Sequence, residues 1–219
     1  MTALAAPPVH LPIVKESAST QFLYADAMPI AKKFVQFLER HCTRIIIAGS
    51  LRRQKQLVSD IEILFISKIT SAPDPQDLFG DRRIQVSAAG IAIGALLVSG
   101  VIEKRLNSRG SETWGPQNKL GRHVYSGIPV DLFETTEEKW WNALVLRTGP
   151  AERKDANGRI IGGNVAIASA AKRIGWSWHA YGSGFTRGDG KSSIDRVVVK
   201  SEQDVFQHVG LPYQEPKDR

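Results

Sequence analysis

Cysteine is almost absent from this sequence, since Cys42 is the only one among 219 residues. A single thiol cannot form an intramolecular disulfide, which excludes a disulfide-stapled secreted scaffold. The segment from Met1 to His10 also lacks the basic region and apolar core of a secretory signal peptide. We therefore expect an intracellular protein, either cytoplasmic or a viral protein that acts inside its host cell.

Long apolar runs are missing as well. A membrane-spanning helix needs about 20 predominantly apolar residues, whereas the most apolar stretch, 91–101, is interrupted by Gly94, Ser99 and Gly100. We therefore expect no membrane partner. With 42% hydrophobic and 23% charged residues, the composition is that of an ordinary globular protein of one or two domains.

Several catalytic motifs are absent too. The chain has no Walker sequence, and Gly90, Gly94 and Gly100 do not form a dinucleotide fingerprint. Ser183 lacks the G-x-S-x-G context of a hydrolase nucleophile, and the five histidines have no paired metal-ligand spacing. These absences disfavour P-loop and dinucleotide chemistry, serine hydrolysis and a histidine-bound metal.

What the sequence has in excess is positive charge. Lys and Arg number 29 against 22 Asp and Glu, which gives a formal net charge of +7. Such an excess favours polyanionic partners, because basic side chains neutralise phosphates and release counterions. Many basic proteins only carry solvated surface lysines, so charge alone leaves nucleic acid binding open.

The apolar pattern predicts a chain of alternating helices and strands. In order, the predicted elements are a helix from Asp26 with Pro29 in its first turn, strands over 44–48 and 57–67, a helix over 84–97, short strands near 101–106, 111–114 and 127–133, a helix over 164–173 and a capped helix after Ser201. Residues 1–19, rich in Ala, Pro and Ser, are predicted to be a flexible tail. The change of character beyond Glu134 predicts a second domain.

A phosphate site is predicted where the first long strand ends. Gly49-Ser50 would lead from this strand into a helix and present free backbone N–H groups, a hydroxyl and a positive dipole end. Arg52 and Arg53 follow directly and add positive charge. This combination suits a bound phosphate group, although Gly49-Ser50 could also be no more than a turn.

Three carboxylates are candidate metal ligands. Asp60 and Glu62 are two residues apart in a predicted strand, so both would point to the same face. Asp131 is a lone acid in an apolar strand-like run, which is costly unless it is ligated or hydrogen-bonded. The alternative is that Asp60 and Glu62 line a solvated face, but apolar residues on both faces of 61–66 indicate burial. Three such acids suit a site for two Mg²⁺ ions.

These residues resemble the nucleotidyltransferase superfamily, and specifically the family X DNA polymerases. Gly49-Ser50-Leu51-Arg52-Arg53 is similar to the family's Gly-Ser-x-Arg-Arg element, and Asp60-Ile61-Glu62 is similar to its acid pair. Asp131 resembles the third acid, and Thr148-Gly149 resembles the turn at the nucleotide pocket.

The resemblance continues to the end of the chain. The helix that begins at Asn164 and ends in Gly175-Trp176 is similar to the family's nucleotide-pocket helix, and 201–219 resembles the family's C-terminus. In all, the resemblance covers residues 27–219.

Three positions depart from the family pattern. Glu62 stands where the family has Asp, which lengthens a metal ligand by one methylene. Leu146-Arg147 replaces two aromatic residues that contact the sugar, and Ala168 replaces an arginine near the template strand. The expected consequences concern activity, sugar selection and template fidelity, respectively.

The resemblance implies an α+β fold with two parts. Residues 20–137 would form a nucleotidyltransferase palm, in which helices flank a mixed β-sheet, and 138–219 would form a small C-terminal α+β thumb-like subdomain that binds nucleotide. The lyase domain and DNA clamps that often precede the palm are not represented, so lyase activity is not expected.

The resemblance also implies a reaction. Asp60, Glu62 and Asp131 would be the catalytic metal ligands for two Mg²⁺ ions, which Mn²⁺ could replace. The nucleotide-binding residues would be Gly49, Ser50, Arg53, Ser59, Thr148, Gly149 and Asn164. A nucleoside monophosphate would pass from a nucleoside triphosphate to the 3′-hydroxyl of a DNA primer on a template or in a gap, as in DNA repair, in an enzyme that we expect to be monomeric.

Two alternatives share the same residues. A nucleotidyltransferase that works without a template, or on RNA or a small molecule, would carry the same Gly-Ser and acid core, although the resemblance of 201–219 argues against it. A catalytically weak DNA-binding module is compatible with Glu62 in place of Asp and with the net charge of +7.

Overall fold

A computed structural model of the chain describes residues 20–77, 81–149, 153–154, 157, 160–187 and 195–219. The predicted flexible tail, residues 1–19, lies outside the described residues. Within these ranges, no helix has both the length and the apolar character needed to cross a membrane.

The described strands have two to seven residues, and the α-helices have four to fifteen. The strands are β1 (Phe22–Leu23), β2 (Cys42–Ile47), β3 (Leu57–Val58), β4 (Ile61–Ser67), β5 (Ile69–Pro73), β6 (Arg83–Ser87), β7 (Ile102–Lys104), β8 (Asn118–His123), β9 (Pro129–Glu134), β10 (Arg153–Lys154), β11 (Ile160–Ile161), β12 (Ser177–Trp178), β13 (Gly184–Arg187) and β14 (Asp195–Val198). The α-helices are α1 (Tyr24–Leu38), α2 (Gly49–Arg52), α3 (Ala88–Val98), α4 (Trp140–Thr148), α5 (Gly163–Arg173) and α6 (Glu202–His208).

A mixed sheet of five strands organises the N-terminal part of the chain, in the order β2-β4-β9-β8-β7. β4 and β9 are parallel, whereas the other neighbours are antiparallel. Helices α1 and α3 contribute to the apolar cluster on one face, and α4 contributes to the cluster on the other. The predicted α+β class, with a mixed sheet flanked by helices, is confirmed.

Strand β4 is buried on both faces, as its apolar pattern predicts. Ile61, Ile63 and Phe65 pack with α1 and α3, while Leu64 and Ile66 pack with β9 and α4. Burial of each such side chain contributes about 1.5–3 kcal/mol, so packing on both faces resists a slip of one residue in register. Because of the period of two, Glu62 lies on the same face as Leu64 and Ile66.

Helix α1 begins two residues before the predicted start at Asp26. The N–H group of Tyr24 donates to the carbonyl of Gln56 at 2.8 Å, and β1 pairs with β3 just before the helix. These non-local contacts fix the helix start, so Asp26 lies in the first turn instead of capping it.

The predicted helix over 84–97 is wrong at its beginning, because residues 83–87 form β6 and pair with β5. Helix α3 begins at Ala88, where Ser87 Oγ accepts a hydrogen bond from Gly90 N at 2.8 Å. Serine is a favoured N-cap, which explains this boundary. The predicted strand over 111–114 is also wrong, since this segment makes only isolated bridges.

A second apolar cluster lies in the C-terminal part, where α5, α6 and a three-stranded sheet, β12-β13-β14, pack together. Helix α6 has its predicted cap, because Ser201 Oγ accepts a hydrogen bond from Asp204 N at 3.0 Å. Helix α4 contributes Val145 to this cluster and Leu144 to the cluster on the five-stranded sheet. The boundary between residues 137 and 138 therefore stays a prediction.

Candidate active site

The predicted phosphate loop is a single helical turn, α2, that begins directly after β2. Gly49 has a φ of +61°, a left-handed conformation that glycine adopts without steric cost. A Cβ atom at Gly49 would lie 2.0 Å from Oε2 of Glu62 and 2.9 Å from its Cδ. The loop backbone is thus packed against the Glu62 side chain, and a larger residue at position 49 would require that side chain to move.

Three buried polar atoms at predicted nucleotide-binding residues have no hydrogen-bond partner within the described part of the chain. They are Ser50 Oγ, Arg53 Nε and Asn164 Oδ1. Buried polar atoms are rarely left unpaired, because each unmade bond costs about 1–3 kcal/mol. Unpaired groups at these positions suit a polar ligand.

The three acids lie close enough to repel one another. Asp60 directly precedes β4, and Glu62 is the register partner of Asp131 across the parallel pair of β4 and β9. Burial, with repulsion from Asp60 and Asp131, raises the pKa of Glu62 to about 8. Burial also raises the pKa of Asp131 to about 6 and raises that of Asp60. Ionisation of all three carboxyl groups is therefore unfavourable without a nearby positive charge, and a bound cation would favour it.

Two arginines approach the acids from different helices. Arg53 follows α2 and interacts with Glu62 and Asp60, while Arg147, on α4, interacts with Glu62 and Asp131. Burial lowers the pKa of both arginines, and the acids raise it. The guanidinium carbon of Arg147 also lies 3.5 Å from the ring centroid of Phe133, which fixes its position.

A third arginine pairs directly with Asp131. Nη2 of Arg105 donates to Oδ1 and Oδ2 of Asp131 at 2.7 and 2.8 Å, and both side chains are largely buried. Within the described ranges, no three His, Cys, Asp or Glu side chains are arranged to hold a metal ion. The oxygen donors and their mutual repulsion fit Mg²⁺ or Mn²⁺, but Asp131 is engaged elsewhere. The metal-ligand role of Asp60, Glu62 and Asp131 stays a prediction.

Thr148 is brought to the phosphate loop by two arginines. Nη1 of Arg52 donates to Thr148 Oγ1 at 2.5 Å, and Nη1 of Arg53 donates to the carbonyl of Thr148. Gly149 follows with a φ of +77° and ends α4. The predicted residues of α2 and of the Thr148-Gly149 turn therefore adjoin each other, although 94 residues of sequence lie between Arg53 and Thr148.

A buried ion-pair network connects the same loop to α6. Arg52 donates to both carboxylate oxygens of Glu202 at 2.9 and 2.6 Å, and Arg219 Nη1 donates to Oε1 of Glu202 at 3.2 Å. Glu202 is only 4% exposed. Sequence reasoning missed Glu202 and Arg105; the only signal for Glu202 was an acid directly after the capping Ser201.

The remaining predicted residues lie around this centre. Asn164 Nδ2 donates to the carbonyl of Leu146 at 3.1 Å, which joins the start of α5 to α4. Ser59 is exposed and borders, with Asp60, a cavity of about 370 Å³. Arg147 borders a different cavity of about 190 Å³, and a larger one of about 650 Å³ in the C-terminal part is lined by none of the predicted site residues.

Comparison with known proteins adds one finding. Residues 164–219, about a quarter of the chain, match a protein-family model described as DNA polymerase beta thumb. No curated protein matches the chain. The C-terminal part is therefore similar to the thumb of DNA polymerase beta, and the predicted resemblance is confirmed for that segment. Residues before Asn164 lie outside the match.

Proposed function

We propose that the protein is a DNA polymerase-type nucleotidyltransferase that adds a nucleoside monophosphate to a DNA 3′-hydroxyl. The observation that carries the proposal is the juxtaposition of the Gly49-Ser50 loop with the acids Asp60, Glu62 and Asp131. The match of residues 164–219 to a polymerase thumb supports DNA as the substrate.

The phosphate loop would bind the triphosphate of the incoming nucleotide. Ser50 Oγ and Arg53 Nε are buried without partners in the described ranges, so both can donate to phosphate oxygens without breaking another bond. Gly49 lets the backbone pass close to Glu62. Triphosphate and acids would thus meet at the end of β2 and the beginning of β4.

Asp60, Glu62 and Asp131 would hold two Mg²⁺ or Mn²⁺ ions. When bound, such ions lower the pKa of a hydroxyl nucleophile and neutralise a leaving pyrophosphate. The protein's own contribution is the register of β4 and β9, which sets Glu62 beside Asp131. Because burial raises the pKa of Glu62 to about 8, its carboxyl would release a proton when it becomes a ligand.

Thr148, Gly149 and Asn164 would form the part of the site that receives sugar and base. Thr148 is held by Arg52 and Arg53, and Asn164 Oδ1 is buried without a partner among the described residues. Ser59, next to Asp60, would complete the nucleotide contacts. With Leu146-Arg147 where the family that the chain resembles has two aromatic residues, we expect weaker discrimination between ribo- and deoxyribonucleotides than is usual in that family.

A primer-extension assay tests this function. A labelled DNA primer is incubated with Mg²⁺ or Mn²⁺ and with each deoxy- and ribonucleoside triphosphate, with and without a template strand. Template-directed addition of single nucleotides supports the proposal. Addition that ignores the template would favour a template-independent transferase, and DNA binding without any extension would favour a catalytically silent module.

A further inference from the structure

Arg105 contacts the acid that has the most buried position in the proposed metal site. One nitrogen, Nη2, donates to both oxygens of Asp131 at 2.7 and 2.8 Å. The exposed fractions of the two side chains are 17% and 9%, so water competes little for this pair. Arg105 directly follows the short strand β7. It lies outside the sequence motifs that predicted the site.

We propose that Arg105 is an internal counter-ion that holds Asp131 while no divalent cation is bound and competes with the cation for the Asp131 carboxylate. This inference rests on the proposed function, since it takes Asp131 to be a metal ligand.

The sheet itself positions Arg105 for this role. The N–H group of Arg105 donates to the carbonyl of Leu120 at 3.1 Å, and Leu120 is the register partner of Asp131 across β8 and β9. Arg105, Leu120 and Asp131 therefore lie in one row across the sheet. A long side chain from the edge of the row reaches the carboxylate at its other end.

A cavity next to Arg105 can receive its guanidinium group when Asp131 is released. Arg105 borders the cavity of about 370 Å³ beside Asp60, and its charge already favours ionised Asp60. A small rotation about the side-chain torsions would move the guanidinium group from Asp131 into this cavity.

A residue that competes with the cation for Asp131 and a residue that only orients Asp131 have opposite effects on metal affinity. Mg²⁺ and Mn²⁺ bind carboxylate oxygens directly, and Mg²⁺ needs near-ideal octahedral geometry. Both oxygens of Asp131 accept from Arg105, so a cation that approaches this carboxylate is repelled by the guanidinium charge. Removal of Arg105 should therefore tighten metal binding, whereas removal of a residue that merely orients Asp131 would weaken it.

The test is the affinity of the full chain for Mn²⁺, measured by electron paramagnetic resonance without nucleotide or DNA. The buffer, its pH and the ionic strength are the same for every variant. We expect Arg105→Gln to bind Mn²⁺ roughly tenfold more tightly than the wild type, which corresponds to about 1.4 kcal/mol. Arg122→Gln is the matched control, because Arg122 borders the same cavity and its Nη1 lies 3.7 Å from Oε1 of Glu103. For this variant we expect the Mn²⁺ affinity to change by less than about twofold.

The outcomes separate this inference from the proposed function. Unchanged or weaker Mn²⁺ binding by Arg105→Gln, with wild-type binding intact, overturns the counter-ion role alone. Failure of both proteins to bind Mn²⁺ overturns the inference and the metal-dependent function together. If Arg105→Gln does not fold, Arg105→Met replaces it, because methionine keeps much of the side-chain length and has no charge; it too must bind Mn²⁺ more tightly than the wild type.

Discussion

We expect that Gly49→Ala disturbs the candidate site more than a methyl group added at any other position of the phosphate loop. The new Cβ would lie 2.0 Å from Glu62 Oε2 and 3.2 Å from Glu62 Cβ, whereas non-bonded carbon contacts are normally about 3.5–4.0 Å. The Glu62 carboxylate would therefore have to move by about 1 Å or more, and the φ of +61° would itself cost about 1–2 kcal/mol for a residue with a Cβ.

These two effects predict separate losses for Gly49→Ala. We expect the free energy of unfolding to fall by about 1–2 kcal/mol from the backbone conformation. Nucleotide transfer should fall by about 100-fold, since a displacement of about 1 Å at a reacting centre can have that effect. Gly94→Ala is the control, because its Cβ would meet nothing within 4 Å; it should raise stability by about 0.5–1 kcal/mol, as expected for a glycine in a helix interior.

Urea denaturation and single-nucleotide incorporation measure both losses. A double variant, Gly49→Ala with Glu62→Asp, shortens the side chain that the new Cβ meets, so the two substitutions should couple by about 0.5–3 kcal/mol in unfolding. Full stability and full transfer activity in Gly49→Ala would refute the close packing of the loop against Glu62.

Three further predictions follow from the charges. Folding raises the pKa of Glu62 from 4.5 to about 8, so the folded chain binds that proton more tightly than the unfolded chain does. With a chelator present, the free energy of unfolding should therefore decrease as the pH rises from about 4.5 to 8. The same decrease in a Glu62→Gln variant would exclude Glu62 as its cause. Glu202→Gln should lower the free energy of unfolding by about 3–5 kcal/mol, because it breaks a buried ion-pair network. Glu137→Gln removes an exposed pair with Arg44 and should lower it by no more than about 1 kcal/mol. Equal losses in urea titrations would argue against a stabilising role of the network. DNA affinity in fluorescence anisotropy should be independent of sequence and should fall steeply between low and moderate salt, because contacts to phosphates release counterions; a flat salt dependence would contradict binding through phosphates.

Local pattern was sufficient for the parts of the fold that depend on burial alone. The apolar residues on both faces of 61–66 predicted a strand packed on both faces, and β4 has that packing. The capping pair of Ser201 and Asp204 likewise predicted the start of α6. In these segments, local preference and tertiary packing favour the same structure, so sequence alone was enough.

Elements that depend on distant partners were less predictable. Residues 83–87 alternate polar and apolar side chains, as a strand does, but the run is short and continues directly into α3, and its pairing with β5 shows that it is a separate strand. The start of α1 is fixed by Gln56, about 30 residues away. This second contact leaves no local signal in the chain.

The site shows the same division. The spacing of the Gly49-Ser50 loop and the acids along the chain is itself a motif, and the structure has Gly49 against Glu62 and Glu62 beside Asp131; the roles of these residues stay a prediction. Arg105 could not be predicted, since its position beside Asp131 depends on the order of β7, β8 and β9 in the sheet. Contacts of this kind become visible only when the strands are assembled.

The most direct test of the proposed function is single-turnover incorporation of one deoxynucleotide on a primed template by the wild type, Asp60→Asn and Asp131→Asn. Each substitution removes one carboxylate from the acid group and keeps the side-chain size, and circular dichroism checks that the fold is retained. We predict incorporation by the wild type in Mg²⁺ or Mn²⁺ and loss of at least about 100-fold in each folded variant. Incorporation at the wild-type rate by either variant would contradict the assignment of these acids to nucleotide transfer.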